Sequence, residues 1–328
     1  MSVSDKLQDL VIAKEDMKTA LIGKGVTPTG GLSTYADAIN RIESGGSVKL
    51  APNTMFGGSH TITYIPNIDT SEYTTMFKMF RECYQLTNVP LFDTSKVTDM
   101  SFMFEECNSL QSVPLFDTSN VTSMAGMFAM WPYDFIYPHI PESQLVSVPL
   151  FDTSKVTNMH GMFQYCVNLQ SVPLFDTSNV TSMAGMFEGC KHLESVPLFD
   201  TSNVTDMDYM FDKCNSLQSV PLFDTSKVTS MGYMFYDCRK LQHIGGFKDL
   251  YKAFMETPDD WLGTLHTFKG CYSITRESCL NIFNNLYDVT NIPKEFPPEF
   301  AFEPDVIARL MEEDILIAVQ KGWIISSY

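Results

Sequence analysis

The side chains of this 328-residue chain best suited to chemistry are six cysteines that recur in one register. A metal site needs sulfur, nitrogen or oxygen ligands that converge on one point, whereas His160 and His192 stand at other offsets from the cysteines. Six equivalent thiols also define no unique disulfide pairing. We therefore expect reduced thiols that fill a tight corner of the core, with no metal and no cofactor. The register holds Cys83, Cys107, Cys166, Cys190, Cys214 and Cys238, with Trp131 standing in it once.

A second ladder consists of aspartates, each followed by Thr-Ser: Asp69, Asp93, Asp117, Asp152, Asp176, Asp200 and Asp224. Carboxylates stacked about 5 Å apart repel each other by roughly 0.8 kcal/mol even in water, and calcium would relieve that repulsion. A calcium site needs several oxygen ligands at one point, which Thr and Ser supply poorly. Aspartate in this context also accepts backbone hydrogen bonds two residues on. We favour turn formation over calcium binding.

The pattern names no catalytic residue. The chain contains no G-x-x-x-x-G-K-[ST], G-x-G-x-x-G, H-E-x-x-H or G-x-S-x-G motif. Its six histidines are scattered, and its paired carboxylates arise everywhere by repetition. We expect a protein that is not an enzyme.

Charge and hydropathy exclude several classes of partner. The formal net charge of −17 argues against nucleic acid, whose phosphates require clustered Lys and Arg, and against anionic membrane surfaces. No apolar run approaches the roughly 20 residues of a membrane-spanning helix, so we expect no membrane insertion. Charges also interrupt every apolar stretch near the amino terminus, unlike a secretion signal.

The elements that position both ladders are repeats. Sequence units begin at Ile65, Val89, Val113, Val148, Val172, Val196 and Val220. They are 24 residues apart, except where an 11-residue insertion stretches one interval to 35. A unit reads V-P-L-F-D-T-S-x-V-T-x-M-x-x-M-F-x-x-C-x-x-L-x-S, and a degenerate eighth copy contains Phe268, Cys271 and Ile274. A period in the range of about 20 to 50 residues indicates a repeat architecture.

Each unit combines two periodicities. Alternating apolar residues in Val113-Pro114-Leu115 are typical of a strand, whereas Met100, Phe104 and Cys107 follow helical spacing. This predicts an α/β fold: a right-handed leucine-rich-repeat solenoid of 24-residue coils, each with a short strand and a short helical or irregular arc. One coil cannot fold alone, because its apolar side chains are buried only against neighbouring coils.

If Val and Leu of V-P-L-F point inward, strand alternation turns Pro and Phe outward. An exposed apolar stripe of this length would be a candidate interface. The alternative is that the chain turns at Phe and tucks the ring into the core. The stripe comprises Pro90, Phe92, Pro114, Phe116, Pro149, Phe151, Pro173, Phe175, Pro197, Phe199, Pro221 and Phe223.

The units divide the chain into regions. Residues 1–46 have two stretches of helical pattern and predict a docking or oligomerisation module, followed by a leading strand and linker at 47–64. The solenoid covers 65–274, with insertions near 129–144 and 247–263, and a helical capping region covers 275–328. The first insertion is an aromatic, proline-stiffened candidate binding loop, or a loop folded over its own coil. Its candidate residues are Trp131, Tyr133, Phe135, Tyr137 and His139.

The paired motifs F-D-T-S-x-V-T-x-M and M-F-x-x-C-x-x-L resemble the BspA-like leucine-rich repeats of bacterial surface proteins over about Ile65–Ile274. The tail, SITRESCLNIFNNLYDVT followed by EEDILIAVQKGWIIS, looks like the closing segment of such proteins. The resemblance implies a right-handed solenoid and a role in adhesion or surface recognition. The stretch LVIAKEDMKTALIGKGVTPTGGLSTYADAINRI is similar to amino-terminal modules of virion proteins in phages of gut bacteria.

Together these features predict a phage virion structural protein, a fibre or decoration protein whose near-identical coils form a rigid spacer. Its expected partners are other virion proteins, through the amino-terminal module, and a host surface glycan or protein. We expect a homo-oligomer, such as a trimer, that buries the Pro/Phe stripe, and location in the virion after assembly in the host cytoplasm. The alternative is an adhesin-like leucine-rich-repeat binding protein at the bacterial cell surface.

Overall fold

The repeats stack on one another in register. The computed structural model describes residues 56–65, 68–130, 142–250, 266–291 and 298–328. One residue per coil pairs in parallel with its equivalent in the next coil. This series runs through Thr75, Asp99, Ser123, Asn158, Ser182, Asp206 and Ser230. The chain is therefore a repeat solenoid, as its period predicts. The predicted module 1–46 and residues 47–55 of the linker lie outside the described residues.

Regular secondary structure is short within the described ranges, and all of its strand pairs are parallel. The strands are β1 (Ser219–Val220), β2 (Phe223–Asp224), β3 (His243–Ile244), β4 (Phe247–Lys248), β5 (Glu299–Phe302) and β6 (Ile324–Ser327). β1 pairs with β3, β2 with β4, and β5 with β6. The helices are a 3₁₀ turn at His266–Phe268, then α1 (Arg276–Asn285), α2 (Pro304–Ile307) and α3 (Glu312–Gln320).

The M-x-x-M-F-x-x-C arc consists of two successive tight turns. Met79 N donates to Met76 O at 3.1 Å, and Cys83 N donates to Phe80 O at 3.1 Å. The third residue of the first turn, Lys78, has φ +55°, the left-handed conformation that a type II turn requires at this position. A helical arc is therefore wrong for the described coils, and the irregular alternative holds. Spacings of three residues fit a closed turn as well as a helix.

Alternate amides of each arc donate to the following coil. Met76 N bonds to Asp99 O at 2.9 Å, and Phe80 N bonds to Met103 O at 2.9 Å. The left-handed residue between two turns lets the chain keep a parallel ladder while it bends. Each coil therefore satisfies its buried backbone groups on its neighbours, which is why the unit is stable only in a stack.

The core is built from columns of identical side chains. One phenylalanine per coil stacks on the next, with ring centroids 5.4 to 5.8 Å apart. This column contains Phe56, Phe80, Phe104, Phe128, Phe163, Phe187, Phe211, Phe235 and Phe268. The Val, Met, Cys and second Leu positions of the unit are buried beside it. The inward positions predicted from the pattern are thus largely those of the structure.

The V-P-L-F segment is the exception to the predicted inward positions. Phe175 N donates to Pro173 O at 3.0 Å, and Phe199 repeats this contact with Pro197. This bond closes a three-residue turn at the leucine, which breaks the strand alternation. The turn is present in these two coils, and all six phenylalanines of the proposed stripe are buried while the neighbouring leucines are exposed. The conditional outward orientation of Phe92, Phe116, Phe151, Phe175, Phe199 and Phe223 is therefore wrong, and the stated alternative, in which the rings are tucked into the core, holds. These rings cannot form an interface stripe.

The carboxyl-terminal region packs against the last coil. Thr275 caps α1, and the Ser278 hydroxyl accepts from Ile244 N at 3.0 Å. Arg276 holds Asp314 of α3 through two bonds of 2.7 Å each. Trp323 is buried and stacks on Phe300 at 5.4 Å. These contacts cover apolar surface that the last coil would otherwise present to water.

Candidate binding face of the solenoid

The cysteines of the ladder lie in the core and have a structural role. All six thiols are buried, and burial raises the pKa of the Cys166 thiol to about 12. Each Sγ donates to a phenylalanine carbonyl of the preceding coil at 3.0 to 3.2 Å. Such a protonated thiol is neither a nucleophile nor a metal ligand. The donor role was not visible in the sequence, because it depends on which carbonyl the stack places opposite the sulfur.

The aspartate ladder forms turns. Asp93 Oδ1 accepts from the Ser95 amide at 3.1 Å and from its hydroxyl at 2.7 Å. These hydrogen bonds from Ser95 lower the pKa of the Asp93 carboxyl. The next residue, Thr94, points inward and donates to Asp117 O of the following coil at 2.8 Å. Within the described ranges, no group of three or more His, Cys, Asp or Glu residues could hold a metal ion.

The surface around this ladder repeats almost unchanged from coil to coil. We call it the constant face, meaning the L-F-D-T-S-x-V-T part of each unit. Its exposed apolar residue is the leucine beside each buried phenylalanine. The six leucines are between 42% and 65% exposed: Leu91, Leu115, Leu150, Leu174, Leu198 and Leu222. Each neighbouring proline, at Pro90, Pro114, Pro149, Pro173, Pro197 and Pro221, is half-buried.

In contrast, the side chains differ from coil to coil at the four x positions of M-x-x-M-F-x-x-C, which we call the variable face. One coil carries Ser101, Phe102, Glu105 and Glu106 there; another carries Asp208, Tyr209, Asp212 and Lys213. The third residue of each turn, at the second x position, adopts φ between +55° and +60° in the described coils, whether it is Lys, Phe, Tyr or Gly. The backbone is thus held constant while the side chains change.

At two places on this face an aromatic residue is followed by a glycine in the next coil. The Phe102 ring lies over Gly126, so a Cβ at Gly126 would come within 2.4 Å of ring carbons. The Tyr165 ring covers Gly189 in the same way, with its hydroxyl donating to Glu188 at 2.7 Å. A ring at this face therefore leans towards the following coil.

Near the carboxyl-terminal end, the variable face carries an aromatic column. Tyr209 stacks on Tyr233 with centroids 5.1 Å apart, and Tyr233 stacks on His266 at 5.5 Å. His266 in turn stacks on Tyr328 at 5.9 Å, and Tyr236 meets Tyr233 edge to face at 5.6 Å. Five rings, four from three coils and that of Tyr328, thus form one continuous platform.

A pocket of about 290 Å³ lies beside this column. Tyr209, Tyr233, Tyr236, His266, Asp212, Lys213 and Lys269 line it. Asp212 Oδ2 pairs with the Lys213 ammonium at 2.7 Å, whereas Oδ1 is buried with no hydrogen-bond partner among the described residues. Desolvation raises the pKa of the Asp212 carboxyl to about 6. A carboxylate kept buried at a cost in a cleft is typical of a functional site.

Sequence reasoning missed this pocket. The four variable positions of each unit are visible in the printed chain, but their three-dimensional neighbours come from coils 24 or more residues apart. The predicted binding-loop residues Trp131, Tyr133, Phe135, Tyr137 and His139 lie outside the described residues. Among the helices of the described ranges, none is both long and apolar enough to cross a membrane.

Comparison with known proteins identifies a family. The family described as "Mycoplasma protein of unknown function, DUF285" matches residues 51–132 and 139–247, more than half of the chain. No curated protein matches the chain significantly. One similar solved structure is a leucine-rich repeat protein from Eubacterium ventriosum, at 17% identity and a TM-score of 0.29, covering 67% of this chain and 79% of that chain.

A second similar structure is a leucine rich cell surface protein from Faecalibacterium prausnitzii. It is 14% identical with a TM-score of 0.25, and the match covers 82% of this chain and 77% of that chain. Neither this family nor these two structures support the predicted virion role. The residues on which that role rests, 1–46, are outside the described part of the chain.

Proposed function

We propose, from the premise that the chain belongs to the DUF285 family, that it is a non-enzymatic, adhesin-like binding protein of the bacterial cell surface. In this proposal the variable face recognises a ligand, and the remainder of each coil holds that face in place. The resemblance of the repeat motif to those of bacterial surface proteins supports the location.

The observation that carries the proposal is the change of side chain at the four variable-face positions while the backbone beneath them repeats from coil to coil. Core columns of Phe, Met and Cys set the position of every coil and leave little room for substitution. The variable face accepts different side chains, some buried and some exposed, because they project from a turn whose backbone geometry is the same in each coil. A repeat protein can therefore alter recognition without altering the stack.

The thiols and carboxylates that could have suggested catalysis have structural roles. The thiols are protonated donors to carbonyls of the core, and the aspartates of the constant face accept turn hydrogen bonds. The variable face, by contrast, ends in a wide aromatic platform next to a buried carboxylate. Clustered tyrosines supply large contact area together with polar tips, which is typical of binding surfaces.

The proposal is tested by comparing matched variants of the full chain on an array of immobilised saccharides and matrix proteins. The paired substitution Tyr209→Ala and Tyr233→Ala removes the platform, whereas Leu198→Ser alters an exposed residue of the constant face in the same coil as Tyr209. We expect the tyrosine variant to lose at least ten-fold in affinity for the bound ligands and the leucine variant to match the wild type.

Circular dichroism must show the same spectrum for all three proteins. Equal loss of binding in both variants, or binding that depends only on Leu198, would overturn the assignment of recognition to the variable face. An array on which the wild-type chain binds nothing would overturn the binding function itself.

A further inference from the structure

We propose that the pocket beside the aromatic column binds an acidic saccharide, with a sugar hydroxyl donating to Asp212 Oδ1 and a sugar carboxylate pairing with Lys269. This inference rests on the proposed binding function and deepens it by naming the ligand class.

Asp212 supplies the first requirement. Its side chain is only 4% exposed, and one of its two oxygens is occupied by the Lys213 ammonium. The other oxygen is buried, lacks a partner among the described residues and belongs to a residue that lines the pocket. A buried acceptor left without a donor is costly, and a ligand hydroxyl would satisfy it.

The two lysines supply the second requirement. Lys213 and Lys269 both line the pocket, where Asp212 is the single carboxylate among its lining residues. Glu188 and Asp237 also act on Asp212 from outside the lining, so the site carries charges of both signs, and the two lysines are its groups that can meet an anion. Lys213 is already paired, whereas no ion pair of Lys269 is found within the described ranges and its side chain is exposed. An anionic group on the ligand would therefore meet Lys269.

The aromatic column supplies the third requirement. Tyr209 stacks on Tyr233 and is 43% exposed. The apolar face of a sugar ring packs well on such a ring while its hydroxyls reach polar neighbours. Saccharides combine an apolar ring face with a rim of donors, which matches a tyrosine wall next to a carboxylate.

The size of the pocket limits the ligand. Its volume of about 290 Å³ is just below the range of roughly 300–1,000 Å³ for small-molecule sites. A single sugar residue fits this volume better than a nucleotide or a larger cofactor. A longer saccharide would place its next residue on the open surface of Tyr209.

Isothermal titration of the full chain with two matched pairs of probes tests the inference. The first pair is a galacturonic acid tetramer and a galactose tetramer; the second is sialyllactose and lactose. We expect at least one acidic probe to bind ten-fold or more tightly than its neutral counterpart. Inorganic phosphate is the third probe, and we expect it not to compete, because Asp212 repels a compact dianion and phosphate cannot stack on Tyr209.

Three variants separate the contributions. Lys269→Gln should remove the preference for the acidic probe and leave neutral binding unchanged. Asp212→Asn should weaken acidic and neutral probes alike by ten-fold or more, because its amide oxygen turns to Lys213 and presents an amide donor to the pocket. Lys240→Gln, an exposed lysine outside the pocket, is the control and should change nothing.

Equal affinity for acidic and neutral probes, no binding of any saccharide, or competition by phosphate would each overturn the inference. The proposed function fails separately. If the tyrosine pair abolishes binding to the array while no acidic saccharide binds, the binding function stands and this ligand class is wrong.

Discussion

The constant and variable faces of the solenoid share one core and differ in what they repeat from coil to coil. On the constant face, Asp, Thr and Ser recur in every coil because each makes a defined hydrogen bond, as in the turn of Asp93 with Ser95. On the variable face, the backbone geometry recurs and the side chain does not. The difference shows that a repeated position keeps one hydrogen bond or packing contact in every coil, whereas a variable position makes different contacts in different coils, such as that of Tyr165 with Glu188.

The largest expected effect tests the core that both faces share. Phe187→Ala removes a ring stacked at 5.8 Å on Phe163 and at 5.6 Å on Phe211. We expect the free energy of unfolding to fall by about 3–5 kcal/mol, as for other buried phenylalanines. Urea denaturation measures it, with Leu198→Ala as the exposed control that should change stability by less than about 0.5 kcal/mol. Similar losses in both variants would contradict the assignment of Leu198 to the surface.

The next effect tests the backbone of the variable face. Gly126→Ala places a Cβ within 2.4 Å of the Phe102 ring, whereas Gly185→Ala meets nothing closer than 3.5 Å. Both glycines have nearly the same φ, +58° and +60°, so both variants carry the cost of about 1 kcal/mol for a left-handed alanine. We expect Gly126→Ala to lose a further 1–2 kcal/mol by urea denaturation. Equal losses would show that Phe102 does not lie over Gly126.

A third effect has the opposite sign and concerns Asp212. Burial raises its folded-state pKa to about 6 from 3.8, so the folded chain binds more protons than the unfolded chain between these values. Stability therefore falls as pH rises from about 4 to 6 and stays low above pH 6. The charged groups that face Asp212 are Lys213, Glu188 and Asp237.

Asp212→Asn carries no such penalty, and we expect it to be more stable than the wild type by about 1–2 kcal/mol at pH 7.5. The advantage should shrink towards pH 4.5. Thermal unfolding at the two pH values measures it. A variant that is less stable than the wild type at both would show that the ion pair with Lys213 outweighs desolvation. A gain in stability together with lost saccharide binding is the expected signature of a functional carboxylate.

The smallest effect compares two threonines of the constant face. The buried Thr177 hydroxyl donates to Asp200 O at 2.9 Å, and the exposed Thr181 hydroxyl donates to Thr157 O at 3.1 Å. Thr177→Val removes the hydrogen bond that its buried side chain makes to the Asp200 carbonyl, so we expect a loss of about 1 kcal/mol. Thr181→Val exposes its carbonyl partner to water and should lose less than about 0.5 kcal/mol. Chemical denaturation distinguishes them, and the reverse order would contradict their assigned burial.

The site shows where reading the chain alone fell short. The binding loop was predicted from its aromatic and proline content, and it lies outside the described residues. The Pro/Phe stripe was inferred from strand alternation, and its rings lie in the core, as in the alternative. The pocket consists of ordinary residues, such as Asp212 and Lys213, that look like solvated charges in one coil. Their significance arises because stacking brings Tyr233, Tyr236 and Lys269 against them from the next two coils.

The amino-acid sequence by itself determined the period, the stacked architecture and most of the buried positions, because a 24-residue unit can bury its Val, Met and Cys side chains only against copies of itself. It also indicated the aspartate turns, which depend on residues two apart in the chain. Only the tertiary structure decided that Leu198 faces outward and Phe199 inward, because a three-residue turn reverses the alternation. The tertiary structure likewise decided which variable side chains are in contact, because the distance between side chains of different coils depends on the stacking and not on the sequence of a single coil.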